Sequence, residues 1–282
     1  MALTLTLPIT LAVLFGALLH AVWNAIVKRG GDPLIDMALL TLGASVLAAP
    51  LLWLAPAPAP ASWPFLAASN LIHVGYYVTL VGTYRHVDLS VGYPLMRGSA
   101  PLLVTLAGVL LLGERPTPAM ALGIVLICLG VASLALANGW HAMRGRALLW
   151  PFANAGLIAA YTLVDAAGAR ASGAAIGYVL WMFFLEGLPF ALFVRWRRGP
   201  GFIDAALSRW RLAFTGGACS ALSYGIAVWA MTRAPVGAVS ALRETSVVFA
   251  LAIGALVLKE RPSRRALAGV AAVLAGAVVL RA

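Results

Sequence analysis

Charge is what this chain has least of: 10% of its 282 residues are Asp, Glu, Lys or Arg, and only 9 of those are acidic. A soluble domain carries about 25%. With 62% of residues hydrophobic and a mean hydropathy of +0.96, no water-facing fold hides the apolar surface. Cysteine is used only at Cys128 and Cys219, each inside an apolar run without a second Cys or His at ligand spacing. Neither a disulfide framework nor a metal site is expected. No Gly-X-X-X-X-Gly-Lys-Ser/Thr run occurs, so ATP is not the direct energy source. A metal-ligating His/Asp set or a serine nucleophile spaced near a histidine is also missing. An enzyme and a cofactor are therefore not expected. The N-terminus lacks the basic n-region of a signal peptide, and its first apolar stretch holds His20, Trp23 and Asn24 without an Ala-X-Ala-like cleavage site. It reads as a retained first span.

What the chain has instead is apolar length. A span needs about 20 apolar residues. With Pro, Gly and charge clusters as punctuation, spans are predicted near 8–28, 33–54, 64–84, 90–112, 117–137, 147–167, 175–196, 210–231, 236–258 and 264–281. A soluble catalytic domain has no room. The longer basic connection from Arg195 to Arg211 has room for a short surface helix. The 20 Lys and Arg give a net charge of +11, but they sit in short connections between apolar runs and form no stripe or arm. They read as loop charge that orients spans against an anionic leaflet, which excludes nucleic acid as a partner.

An internal repeat is the sharpest feature. Sliding the chain until Glu114-Arg115-Pro116 falls on Glu260-Arg261-Pro262 also brings Leu112 onto Leu258, Gly108 onto Gly254, Gly123 onto Gly269, Gly130 onto Gly276 and Arg97 onto Arg243. The halves divide as 1–140 and 141–282, five spans each. Five is odd, so the second half starts on the opposite side of the membrane and the repeat is inverted. Two similar halves of opposite orientation are the usual architecture of alternating-access carriers. The expected fold is an all-α integral membrane protein of about ten transmembrane helices, built as two inverted five-helix repeats.

These residues resemble the drug/metabolite transporter superfamily, specifically its EamA-type permeases. The likeness spans nearly the whole chain. It rests on the five-plus-five repeat, on the Leu-Gly-Glu-Arg-Pro and Leu-Lys-Glu-Arg-Pro runs after the fourth and ninth spans, and on the His20-Ala-Val-Trp23-Asn24 patch. The resemblance implies a multi-pass protein of a bacterial-type inner (plasma) membrane. It implies export of a small metabolite, an amino-acid-like or a drug-like solute, with a proton as the coupling ion. It also leaves a flippase for a lipid-linked sugar or other amphipathic lipid as the alternative, and it supplies no catalytic residues.

Candidate site residues follow from cost. A charge at mid-span costs about 2.5 to 3.5 kcal/mol on insertion scales, so each needs a partner or a wet cavity. Arg97 and Arg243 lie about 10 Å into the fourth and ninth spans and approach the midplane from opposite faces. Glu244 follows Arg243 where the first half has Gly98 and is the expected proton-exchanging group of the transport cycle, with Glu186, mid-span in the seventh helix, as the runner-up. Asp165 is closer to a span end, where a carboxylate meets water. The competing reading is static pairing, as of Arg97 with Glu244 or Arg243 with Glu186. Asn70, His73 and Tyr77 recur on one face of the third span; Tyr161, Ser223 and Tyr224 add rings with polar tips. Such a face suits an amphipathic or aromatic solute. Trp53, Trp63, Trp150, Trp196 and Trp210 read as an interfacial belt.

Two structural signals remain. Gly123 with Gly130 and Gly269 with Gly276 form small-residue stripes on the fifth and tenth spans, suited to close packing within the chain and leaving room for a homodimer seam. The Glu-Arg-Pro runs read as hairpin signals whose charges reach water. Loops after odd spans carry most Lys and Arg, including Arg85, Arg195, Arg197, Arg198, Arg209 and Arg211; loops after even spans and the C-terminus carry only Arg115, Arg170, Arg233 and Arg281. Loop charge therefore places both termini away from the cytoplasm.

Overall fold

The computed structural model describes residues 3–28, 32–137, 145–257, 259 and 263–281. Leu258 and the Glu260-Arg261-Pro262 run of the repeat lie outside the described residues. Among the described residues every regular element is helical: α1 (Leu7–Lys28), α2 (Pro33–Leu51), α3 (Trp63–His86), α4 (Leu89–Leu112), α5 (Pro118–Ala137), α6 (Leu149–Ala171), α7 (Ala175–Arg198), α8 (Gly201–Ser208), α9 (Trp210–Met231), α10 (Val236–Arg243), α11 (Ser246–Val257) and α12 (Arg264–Val279). Among the described residues eight stretches are long and apolar enough to cross a membrane, α10 and α11 counting together, and α5 is a shorter apolar helix. With α12 they form the ten segments expected, and α8 is the short helix of the basic connection.

Local chemistry sets the ends. Asp32 caps α2, its Oδ1 accepting from the amides of Leu34 at 3.0 Å and Ile35 at 3.4 Å. The chain leaves α4 through Gly113 at φ 65°, a left-handed turn that spares a Cβ its steric penalty. The ninth span departs from expectation by breaking in two. Glu244 and Thr245 bond back three residues, to the carbonyls of Ala241 and Leu242, which interrupts the four-residue ladder between α10 and α11.

The packing repeats with the sequence. Helix α3 lies on α6 as α1 lies on α9, and α2 against α7 and α5 against α12 sit on the pseudo-twofold. The glycine stripes meet inside the chain along the last of these contacts: a Cβ on Gly130 would fall 2.8 Å from the Gly269 carbonyl, and one on Gly276 would fall 2.8 Å from that of Gly123. No other residue lets these backbones approach so closely. The symmetry is incomplete among the described residues: α2 packs broadly on α9 whereas α3 and α7 touch little, and α4 packs broadly on α5 whereas α11 and α12 touch little.

The helices alternate in direction, so the bundle has two distinct ends. One, where α1, α3 and α7 finish, carries Arg85, Arg195, Arg197, Arg198 and Arg209 and is called the basic end below. There Arg198 pairs with Asp32 at 2.7 Å and Arg209 with Asp36, tying α7 and the start of α9 to α2. Trp53 and Trp196 stand largely in the open, as an interfacial belt requires, while Trp150 stacks on His86 at 5.5 Å.

Candidate functional site

Eight helices contribute to one cavity of about 660 Å³, open mouth included. Its lining comes from mid-depth and from the basic-end portions of α1 and α2: His20 and Trp23 on α1, and Met37, Leu40, Thr41 and Ala44 on α2. Tyr76, Tyr77 and His73 of α3, Arg97 of α4, Tyr161 of α6, Phe183 and Glu186 of α7, Ser220, Ser223 and Tyr224 of α9, and Arg243 of α10 complete the wall.

Aromatic rings hold one another in place here. His73 donates from Nδ1 to the Ser69 carbonyl at 2.9 Å and stacks on Tyr161, ring centres 4.3 Å apart. Tyr161 meets Tyr76 and Tyr224 edge-on at 5.7 and 5.8 Å. Trp23 stands edge-on to His20 at 5.0 Å, and the His20 Nε2 lies 3.4 Å from the Tyr93 hydroxyl. Such edge-to-face pairs fix ring planes.

The charges divide into engaged and unengaged. Arg97 donates through Nε to Glu244 Oε2 at 2.9 Å, and one of its terminal nitrogens lies 2.9 Å from Oε1. That pair is the static one the sequence allowed. The other, Arg243 with Glu186, does not form. The guanidinium of Arg243 instead lies over the Tyr224 ring, 4.9 Å from its centre, and the Tyr224 hydroxyl donates to Asp165 at 2.6 Å. Asp165 accepts a second bond from Tyr178 at 3.2 Å and is fully buried, so the wet span end expected for it is not where it lies. Glu186 takes a hydrogen bond from Tyr77, whose ring stacks on Phe190 at 4.0 Å.

Ten of the sequence candidates thus gather around the cavity, and Asn24, Asn70 and Glu244 lie off it. The two asparagines spend their amides on helix carbonyls, Asn24 on His20 at 2.8 Å and Asn70 on Leu66 at 2.9 Å. Glu244 sits behind Arg97. Sequence reasoning passed over the α2 wall, although Met37, Leu40, Thr41 and Ala44 recur at helical spacing. A mostly apolar stripe reads as core until a void is seen beside it.

The opposite end of the bundle is closed by a polar knot that sequence reasoning assigned to water. Glu114, just past α4, is buried and accepts from Arg170 at 2.6 Å and from the amide of Val236 at 2.9 Å. Arg170, at the end of α6, also donates through Nε to the Met231 carbonyl at 2.9 Å. The knot joins the α4–α5 turn of the first repeat to the end of α6 and the α9–α10 turn of the second. Nearby, the amide of Ala59 donates to the Ser172 carbonyl at 3.0 Å. Arg115, the next residue of the motif, is exposed as expected.

Comparison with known proteins agrees with this architecture. The family model described as EamA-like transporter family matches residues 7–136 and again 145–282. A crystal structure of another protein superposes with a TM-score of 0.72 at 18% identity, over 96% of this chain and 94% of that one. At that identity it speaks for the fold alone. No curated protein matches the chain.

Proposed function

The chain belongs to the EamA-like transporter family, and we propose that it exports a small amphipathic solute across a bacterial-type inner membrane by alternating access, driven by protons. The observation that carries this reading is a mid-depth cavity reaching toward one end while contacts between the two repeats close the other. Exchange of those two arrangements between inverted halves would move a solute. Loop charge puts the basic end in the cytoplasm. In that orientation the cavity faces the side from which an exporter loads.

Glu186 is the better placed of the two candidate coupling carboxylates. It faces the cavity and, among the described residues, bonds only the Tyr77 hydroxyl, whereas Glu244 is held by Arg97 away from the lining. A proton and a cationic solute group competing for Glu186 suffice for antiport. The test is flux in proteoliposomes with and without an imposed pH gradient. Glu186→Gln should lose gradient-driven flux and keep solute-for-solute exchange; unchanged gradient-driven flux removes Glu186 from coupling. For orientation, a C-terminal reporter that fluoresces only in the cytoplasm should stay dark, and a bright signal reverses the assignment.

A further inference from the structure

Arg243 is a cation without an anion. The residue is more than nine-tenths buried at 8% exposure, it lines the cavity, and it lies about as deep as its repeat mate Arg97. Among the described residues no carboxylate stands within ion-pair distance of it and no acceptor takes a hydrogen bond from it. The neighbouring acids are otherwise engaged: Glu244 by Arg97, Asp165 by Tyr224 and Tyr178, and Glu186 by Tyr77. A buried guanidinium left in this state is costly in a membrane and is retained where it meets a ligand.

Its mounting explains what it can do. Tyr224 offers its ring to the cation, and donating its hydroxyl to Asp165 enriches that ring in electron density. Arg243 is thereby anchored through its π-face contact while its N–H groups remain free for a planar partner. Guanidinium matches a carboxylate through two parallel hydrogen bonds. A single unpaired cation balances one negative charge, which favours a carboxylate over a doubly charged phosphate. Around it stand Tyr161, Tyr224, His73 and Phe183, a wall for an apolar or aromatic body.

We infer that Arg243 docks the carboxylate of the transported solute, so that the solute class is a monocarboxylate on a ring-bearing or otherwise apolar body. This deepens the carrier reading above and rests on it. Any amine that Glu186 would take is a separate matter. Contact between Arg243 and substrate makes it a binding residue, with Tyr224 and Asp165 positioning it.

The test compares acids with their neutral isosteres by equilibrium dialysis on the full-length purified protein. The probes are phenylpropanoate against phenylpropanamide and phenylalanine against phenylalaninamide, pairs that differ only at the carboxyl group. In the wild type at least one acid should bind about tenfold or more tightly than its amide, the scale of one charge-assisted hydrogen-bonded contact. In Arg243→Gln that preference should fall to within about twofold while amide binding persists, and Arg243→Lys should restore part of it. The inference is overturned by a wild type in which no acid outbinds its amide. It is equally overturned by an acid preference that survives in Arg243→Gln. Counterflow of the amides in proteoliposomes examines the carrier reading separately, because it needs no carboxylate. Amides that move without any acid preference leave a carrier whose solute is not an acid; an acid preference without movement leaves a binding site that is not a carrier's.

Discussion

Arg97 and Arg243 stand at matching places in the two repeats, yet one is neutralised by a neighbour and the other is not. The residue after each explains the difference. Gly98 lies where α4 presses on α5, and a Cβ there would meet the Cys128 carbonyl at 3.1 Å. The second repeat has Glu244 instead, at the break between α10 and α11, and it reaches across to Arg97. One carboxylate thus serves the arginine of the other repeat. Sequence symmetry does not make environments equal: a single added acid divides two equivalent cations into a packing group and a free one.

The contrast is most easily broken through stability. Removing one partner of a buried ion pair strands the other and costs about 3–5 kcal/mol. Arg97→Gln and Glu244→Gln should therefore each lower the melting temperature in detergent markedly, and the double variant should recover most of the loss. Arg243→Gln breaks no ion pair, only the contact with the Tyr224 ring, and should melt much closer to wild type. Equal destabilisation by Arg97→Gln and Arg243→Gln would erase the distinction between them.

A smaller effect separates the two ends of the bundle. Glu114→Gln keeps an acceptor for the Val236 amide but gives up the charge on the Arg170 contact, a loss of about 1.5–3 kcal/mol. Hydrogen exchange at residues 231–236 should speed up by about tenfold or more while amides beside the Asp36–Arg209 pair stay as they were. Unchanged exchange at that turn would mean that the knot does not hold this end shut.

The smallest expected effects test whether the asymmetry belongs to the arginines or to the repeats as wholes. Gly130→Ala and its repeat mate Gly276→Ala both push a methyl into the facing backbone, each 2.8 Å from a carbonyl, and should cost about 1–3 kcal/mol each. The two costs should agree, because the α5–α12 seam is used alike by both halves. Gly156, where an added methyl would have nothing within 4 Å, should accept Ala with a change of about 0.5 kcal/mol or less, or a slight gain in helix stability. Clearly unequal costs at Gly130 and Gly276 would show that the halves differ well beyond Glu244.

Most of the fold was legible because a bilayer leaves few options. Apolar runs of span length, separated by Pro, Gly and charge, give helices whose ends fall within a few residues of those expected; the glycines at matching positions pick out α5 and α12 as partners. The break at Glu244–Thr245 was not legible, since its sequence is compatible with a continuous helix and only the packing around Glu244 interrupts it. Among the site residues, mid-span charge and ring-bearing polar groups were readable because burying them in lipid is expensive. The α2 wall was not, being mostly apolar, and Glu114 was misplaced because a span end in sequence need not be a wet surface in space.

By itself, then, the sequence determined the membrane setting, the ten segments, the inverted repeat and which side chains are too costly to lie against lipid. Those properties follow from composition and spacing along one chain, and solvation alone enforces them. Tertiary structure decided which of those costly groups neutralise one another, that Arg97 takes Glu244 while Arg243 lies on the Tyr224 ring, and that Glu114 ties the two repeats together at one end. Pairing is a matter of angstroms between helices distant in sequence, and only the packed bundle fixes it.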